Sequence, residues 1–124
     1  MSAGPHILLV EDNEAIRHAF ALLLEEHGYR VSEAATGHEA LESARRDHPD
    51  LILMDLGLPD LNGLEVTTRL KADEATRDII VVALTGRALD SDEEKCKRAG
   101  CAAVLPKPVY TSVLLAKIPE FLKG

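Results

Sequence analysis

Short apolar runs alternate with amphipathic helical stretches five times along this chain of 124 residues, and that alternation leaves few folds open. The strong runs are ILLV at 7–10, LILM at 51–54, IIVVAL at 79–84 and AAVLP at 102–106, and a weaker, partly polar run lies at 29–34. Runs of Val, Ile and Leu without polar alternation read as parallel strands covered on both faces. The sequence therefore predicts an α/β fold, a five-stranded parallel sheet of the flavodoxin-like, doubly wound kind. It reads as a single domain over 1–124 with a short flexible start at 1–5, and the partly polar run at 29–34 is expected at a sheet edge.

Helix boundaries follow from local chemistry. Asn13 can cap a first helix whose apolar positions Ile16, Phe20, Leu23, Leu24 and His27 recur at helical spacing, and Gly28 suits its end. Thr36 and Glu39 form a capping box for a second helix to about Asp47, which Pro49 keeps from continuing. Gly57, Pro59, Asn62 and Gly63 mark a loop, and Val66 and Leu70 lie on the helix after it. Ser91 to Glu94 offers another capping box for a helix that Gly100 ends. The last helix is expected to start near Val109 and bury Val113, Leu114 and Ile118, with a kink or a new turn at Pro119. Tyr110 is expected to pack at its start.

Composition removes several classes of function. Against 14 Lys and Arg stand 21 Asp and Glu, and the resulting charge of -7 repels nucleic acid backbones. No stretch reaches the ~20 apolar residues of a membrane span, so a cytoplasmic protein without membrane contact is expected. Cys96 and Cys101 lack metal-ligand or CxxC spacing and read as reduced packing thiols; the five histidines read mostly as surface residues.

The apolar runs end in residues that can do phosphoryl chemistry. In a parallel sheet ligands bind outside the carboxyl ends of the strands, so Glu11, Asp12, Asp55, Thr85 and Lys107 point at one edge. Three carboxylates crowded there cost energy unless a cation neutralises them, and an all-oxygen set with few protein groups suits Mg²⁺. The Gly57 carbonyl is available as a further ligand. Asp55 could attack phosphorus as a carboxylate nucleophile, Lys107 could hold the transferred group as a point charge, and Thr85 could donate a hydrogen bond to it. Lys107-Pro108 is a candidate cis peptide that would aim the ammonium inward.

The segments ILLVEDN, LILMDLGLPDLNG, VVALTG and VLPKP, in this order, make the chain similar to the receiver domains of two-component response regulators over essentially its whole length. The resemblance implies that Asp55 is the phosphoacceptor and that Glu11 and Asp12 bind Mg²⁺ with Asp55 and the Gly57 carbonyl. It further implies that Thr85 is the switch hydroxyl and that Lys107 contacts the phosphoryl group. The implied donor is a phosphohistidine on a sensor histidine kinase or a histidine phosphotransfer protein. Phosphorylation would be self-catalysed, and a changed surface of the fourth helix, fifth strand and fifth helix would be read by a downstream effector.

The chain departs from the family pattern at several places. Val104 stands where many members carry an aromatic that follows the switch hydroxyl, and Gly86 replaces a common alanine. Cys101-Ala102-Ala103 lacks the strand-five acids of one common dimer mode, and Arg87 lies two positions after Thr85. Three rival classes fit the sequence less well. An aspartyl-phosphate hydrolase of the haloacid dehalogenase kind would need an Asp at position 57. A flavodoxin-like cofactor binder would want a Ser/Thr- and Gly-rich phosphate loop where Glu11 and Asp12 stand. An interaction module that keeps the fold without being phosphorylated is disfavoured by the intact set of chemical positions.

Overall fold

The computed structural model describes residues 4–86 and 90–123, the side chains of 90–92 excepted. Strands and helices alternate strictly: β1 (His6–Val10), α1 (Glu14–Glu26), β2 (Arg30–Ala34), α2 (Gly37–Asp47), β3 (Leu51–Asp55), α3 (Gly63–Ala72), β4 (Ile80–Thr85), α4 (Asp90–Ala99), β5 (Ala103–Pro106) and α5 (Thr111–Leu122). All pairings are parallel, in the order β2-β1-β3-β4-β5, which places the expected edge strand β2 at the edge.

Alternate residues of each strand feed two separate cores. Leu8, Val10, Ile52, Met54, Val81 and Ala83 meet Ala40 and Ala44 of α2, Val66 and Leu70 of α3, and Cys96 of α4. Ile7, Leu9, Leu51, Leu53, Val82 and Leu84 meet Ala21 and Leu24 of α1 and Leu114 and Ile118 of α5. Burial on both faces is why these strands read as unbroken apolar runs.

Most helix ends obey local signals. Asn13 Oδ1 accepts the Ile16 amide, Thr36 Oγ1 accepts the Glu39 amide, and Asn62 Oδ1 accepts the Leu64 amide. Glu39 completes its box on the amide of Ala35 rather than that of Thr36. Gly28 and Gly100 take positive φ at the ends of α1 and α4, a conformation glycine adopts without steric cost. Neither Cys96 nor Cys101 forms a disulfide, and both are buried.

Four local expectations are corrected. Ser91 lies within α4 rather than at its cap, because the helix already includes Asp90. α5 runs unbroken through Pro119, whose carbonyl accepts the Lys123 amide, so no new turn forms there. Ile16, Val113 and His27 are exposed: helical spacing marks a stripe wider than the part the sheet covers. Tyr110 sits before the first residue of α5 and is 69% exposed rather than packed. Residues 1–3 of the expected flexible start, and Arg87, lie outside the described residues; the carbonyls of Gly4 and Pro5 accept from Arg30.

Candidate functional site

Strand register alone brings the acids together. Val10 pairs with Met54, so the next residues along, Glu11 and Asp55, end adjacent strands side by side. β1 and β3 flank the point where the chain reverses its winding direction, with β2 on one side and β4 on the other, and this is where open α/β sheets place ligands. Farther along, Thr85 pairs with Pro106, and Lys107 follows directly. Glu11, Asp12, Asp55, Gly57, Thr85 and Lys107 all line one cleft of about 650 Å³.

Glu11, Asp55 and Thr85 are buried, whereas Asp12 is exposed. One carboxylate oxygen from each of Glu11, Asp12 and Asp55 falls within 4.8 Å of the others. Into this cluster Lys107 projects its ammonium, 2.9 Å from Asp55 Oδ1 and 3.5 Å from Glu11 Oε1. Asp55 Oδ1 also accepts the Gly57 amide at 3.0 Å, and Glu11 Oε2 accepts the Asn13 amide at 3.1 Å. The Lys107-Pro108 peptide is cis, and the Lys107 amide bonds the Thr85 carbonyl at 2.8 Å, tying the ends of β4 and β5 together.

Electrostatics show the cost of this convergence. Burial pushes the Glu11 carboxyl above its ordinary pKa, Asp12 and Asp55 push it the same way, and the Asn13 amide and Lys107 only partly offset them. For Lys107 burial disfavours the charged form, but the Asp55 carboxylate, followed by Glu11, more than compensates, and its pKa is raised. Three carboxylates against one ammonium leave two negative charges, which a divalent cation would neutralise. The donors are all oxygen, the choice of a hard cation such as Mg²⁺.

Two positioning groups escaped the sequence reading. Arg17 donates to the Glu11 carbonyl at 2.9 Å and to Glu33 of β2 at 2.9 Å, bracing the acidic end of β1 against the edge strand. Asp60 reaches from the loop after β3 to α2, accepting the amides of Gly37 and His38 at 2.7 and 3.0 Å. The signal for Arg17 would have been its place one turn along α1, facing the first acids. Asp60 gave no such signal, because its partners lie 23 and 22 positions away. Val104 is partly buried against the core shared by α2, α3 and α4.

Beside the cleft runs an apolar groove of about 420 Å³ between α1 and α5, lined by Leu9, Ile16, Phe20, Leu84, Val109 and Leu114. It shares Glu11 and Lys107 with the acid cluster.

Known proteins share the sequence pattern and the fold. The family model described as response regulator receiver domain matches residues 7–119. The polar-differentiation response regulator DivK of Brucella ovis is 44% identical over 116 residues, covering 94% of each chain. Among solved structures, the receiver domain of a sensor histidine kinase from Pseudomonas aeruginosa PAO1 superposes with a TM-score of 0.89 at 38% identity, covering 98% of this chain and 100% of that one, and it carries a magnesium ion coordinated in its active-site cleft. A CheY-like receiver domain protein from Methanospirillum hungatei JF-1 superposes with a TM-score of 0.89 at 33% identity, over 96% of this chain and 94% of that one.

Proposed function

The chain belongs to the response regulator receiver family, and from that premise we propose that Asp55 accepts a phosphoryl group in a Mg²⁺-dependent reaction that the domain itself catalyses. The observation that carries this reading is the buried Asp55 carboxylate, held at Oδ1 by the Gly57 amide and the Lys107 ammonium inside a cluster of three acids.

Asp55 is fixed before the donor arrives, which removes much of the entropic cost of in-line attack. An Asp55 carboxylate oxygen forms a bond to phosphorus as the phosphorus–nitrogen bond of a phosphohistidine breaks. The electron pair leaves with the imidazole, and the product is an acyl phosphate. Lys107 faces the charge that gathers on the phosphoryl oxygens, where a pre-positioned cation lowers the barrier most. Mg²⁺, held by Glu11, Asp12, Asp55 and the Gly57 carbonyl, would supply further charge neutralisation on those oxygens. Water attacking the same phosphorus later breaks its bond to the Asp55 oxygen, releasing inorganic phosphate and returning the free carboxylate.

Thr85 ends β4 in the same cleft, and in this reading its hydroxyl follows the phosphoryl group. A dianion on Asp55 draws Thr85 inward and shifts a two-state equilibrium of the α4, β5 and α5 surface, which an effector protein or domain reads. The donor is a sensor histidine kinase or a histidine phosphotransfer protein, and the domain works in the cytoplasm. No helix among the described residues is long and apolar enough to cross a membrane.

Intact mass after incubation with phosphoramidate tests the reading. A gain of about 80 Da, one phosphoryl group, is expected with Mg²⁺ and absent without it or in Asp55→Asn. A folded wild-type chain that gains no mass under any condition would instead favour a receiver fold used only for protein interaction.

A further inference from the structure

The loop from Leu56 to Asn62 carries Gly57, and it is held at two places. At its neck the Gly63 amide bonds the Leu56 carbonyl at 3.2 Å, and a Cβ on Gly63 would lie 2.7 Å from the Asp55 carbonyl oxygen, so the two stems touch. At its tip Asp60 leaves the loop and bonds α2: Oδ1 accepts the Gly37 amide at 2.7 Å, Oδ2 accepts the His38 amide at 3.0 Å, and the His38 ring meets Oδ2 as well. Gly37 makes the fit possible, because a Cβ there would sit 2.8 Å from Leu61 Cβ and 2.9 Å from Val66 Cγ2.

α2 already has its own local cap. Thr36 Oγ1 takes the Glu39 amide and the Thr36 carbonyl takes the Ala40 amide. Left over are the Gly37 and His38 amides, two of the donors every helix leaves at its start. A residue from the loop fills them, with bonds strong enough to hold the Asp60 carboxyl well below the ordinary carboxylate range. α2 itself is anchored in the core through Ala40 and Ala44. Since α2 supplies no candidate ligand, what the bond adds beyond capping falls on the loop.

We propose that Asp60 is a positioning residue for the metal site, anchoring the tip of the 56–62 loop to the start of α2 so that Gly57 is held at one place beside Asp55. The inference rests on the reading of Glu11, Asp12, Asp55 and Gly57 as the cation's ligands. Partners of metal ligands commonly contribute tenfold or more in affinity without touching the ion. Asp60 would act in the same way, through the loop backbone.

The test is calorimetric Mg²⁺ titration without phosphodonor, run beside phosphoramidate uptake measured against Mg²⁺ concentration. Asp60→Ala is expected to weaken Mg²⁺ binding about tenfold and to raise the Mg²⁺ needed for half-maximal uptake equally, with the rate at saturating Mg²⁺ within about twofold of wild type. Gly37→Ala pushes on the loop from the other side and shifts Mg²⁺ affinity in the same direction. Asp60→Asn keeps an acceptor for Gly37 but turns a donor toward His38, and falls between. His38→Ala leaves both amide bonds in place and stays within about twofold of wild type. Circular dichroism confirms that α2 and the fold persist in each variant. Wild-type Mg²⁺ affinity in folded Asp60→Ala would overturn the proposal even if Asp55 is phosphorylated. A tenfold loss in a protein that never takes up phosphate would overturn the phosphoacceptor reading and leave the anchor standing.

Discussion

Acidic residues crowd both ends of the sheet, yet those at the amino ends and the three that meet in the cleft at the carboxyl ends are treated in opposite ways. At the amino ends of the strands each acid meets its own donor in solvent. Asp50 accepts the His6 amide at 2.8 Å, and Asp78 faces His48 at 2.9 Å while 70% of its side chain stays exposed. The His48 ring holds the Asp78 carboxyl below its ordinary pKa. At the carboxyl ends Glu11, Asp12 and Asp55 converge on one ammonium, and Glu11 is pushed up rather than down. Acidity by itself marks nothing; burial and convergence mark the end that needs a cation.

The sharpest way to break this contrast is to neutralise the centre of the cluster. Asp55→Asn is expected to abolish phosphoryl uptake and, by removing a like charge beside Glu11, to raise the Mg²⁺-free melting temperature; mass spectrometry and calorimetry check the two effects. Lys107→Ala should slow uptake by about 10²- to 10³-fold, the usual effect of losing one group that stabilises developing charge. Because the variant leaves the acids uncompensated, it should also bind Mg²⁺ more tightly, an opposition of signs that isothermal titration reads directly.

Mg²⁺ itself should separate the two ends. At a hundredfold excess over Kd a bound ligand stabilises by ~2.7 kcal/mol, so thermal melts of the wild type should rise by several degrees with Mg²⁺ and those of Glu11→Gln by much less. Asp78→Asn, by contrast, should leave Mg²⁺ affinity unchanged and shift the melting temperature by no more than about 2 °C, since exposed pairs contribute little.

Acid titration gives the last contrast, with opposite signs. Asp47, Asp73 and Asp78 titrate in the folded protein below the ordinary value of 3.8. Their stabilising share is present above that value and is lost as pH falls through the lower folded-state values. Glu11 is raised above 4.5, so the folded Mg²⁺-free protein holds its proton more tightly than the unfolded chain, and stability declines as pH climbs from 4.5 through the raised value. Chemical denaturation across pH 3 to 7, with Glu11→Gln as the comparison, separates the two slopes.

What the sequence disclosed divides along physical lines. Strands buried on both faces advertise themselves as apolar runs, and all five were legible, including the edge position of β2. Caps whose bonds close within three residues, at Asn13 and Thr36, were legible as well. Helix faces were less so: Ile16 and Val113 satisfy helical spacing but lie beyond the strip the sheet covers. Ser91 failed as a cap because capping boxes recur by chance in acidic helices. At the site, all six candidate residues meet in one cleft because register follows from the runs that carry them. Asp60 stayed hidden because its partners come from another element, which no local pattern encodes, whereas Arg17 was legible toward Glu11 and hidden only toward Glu33 of β2.

The phosphoryl group's location decides the matter most directly. Phosphorylated protein treated with borohydride converts an acyl phosphate to the corresponding alcohol, and peptide mass spectrometry then finds the altered residue. Homoserine at position 55 alone, formed only when Mg²⁺ was present, is the expected result. Phosphate on a histidine, on Thr85 or on an acid at the amino ends of the strands would contradict it.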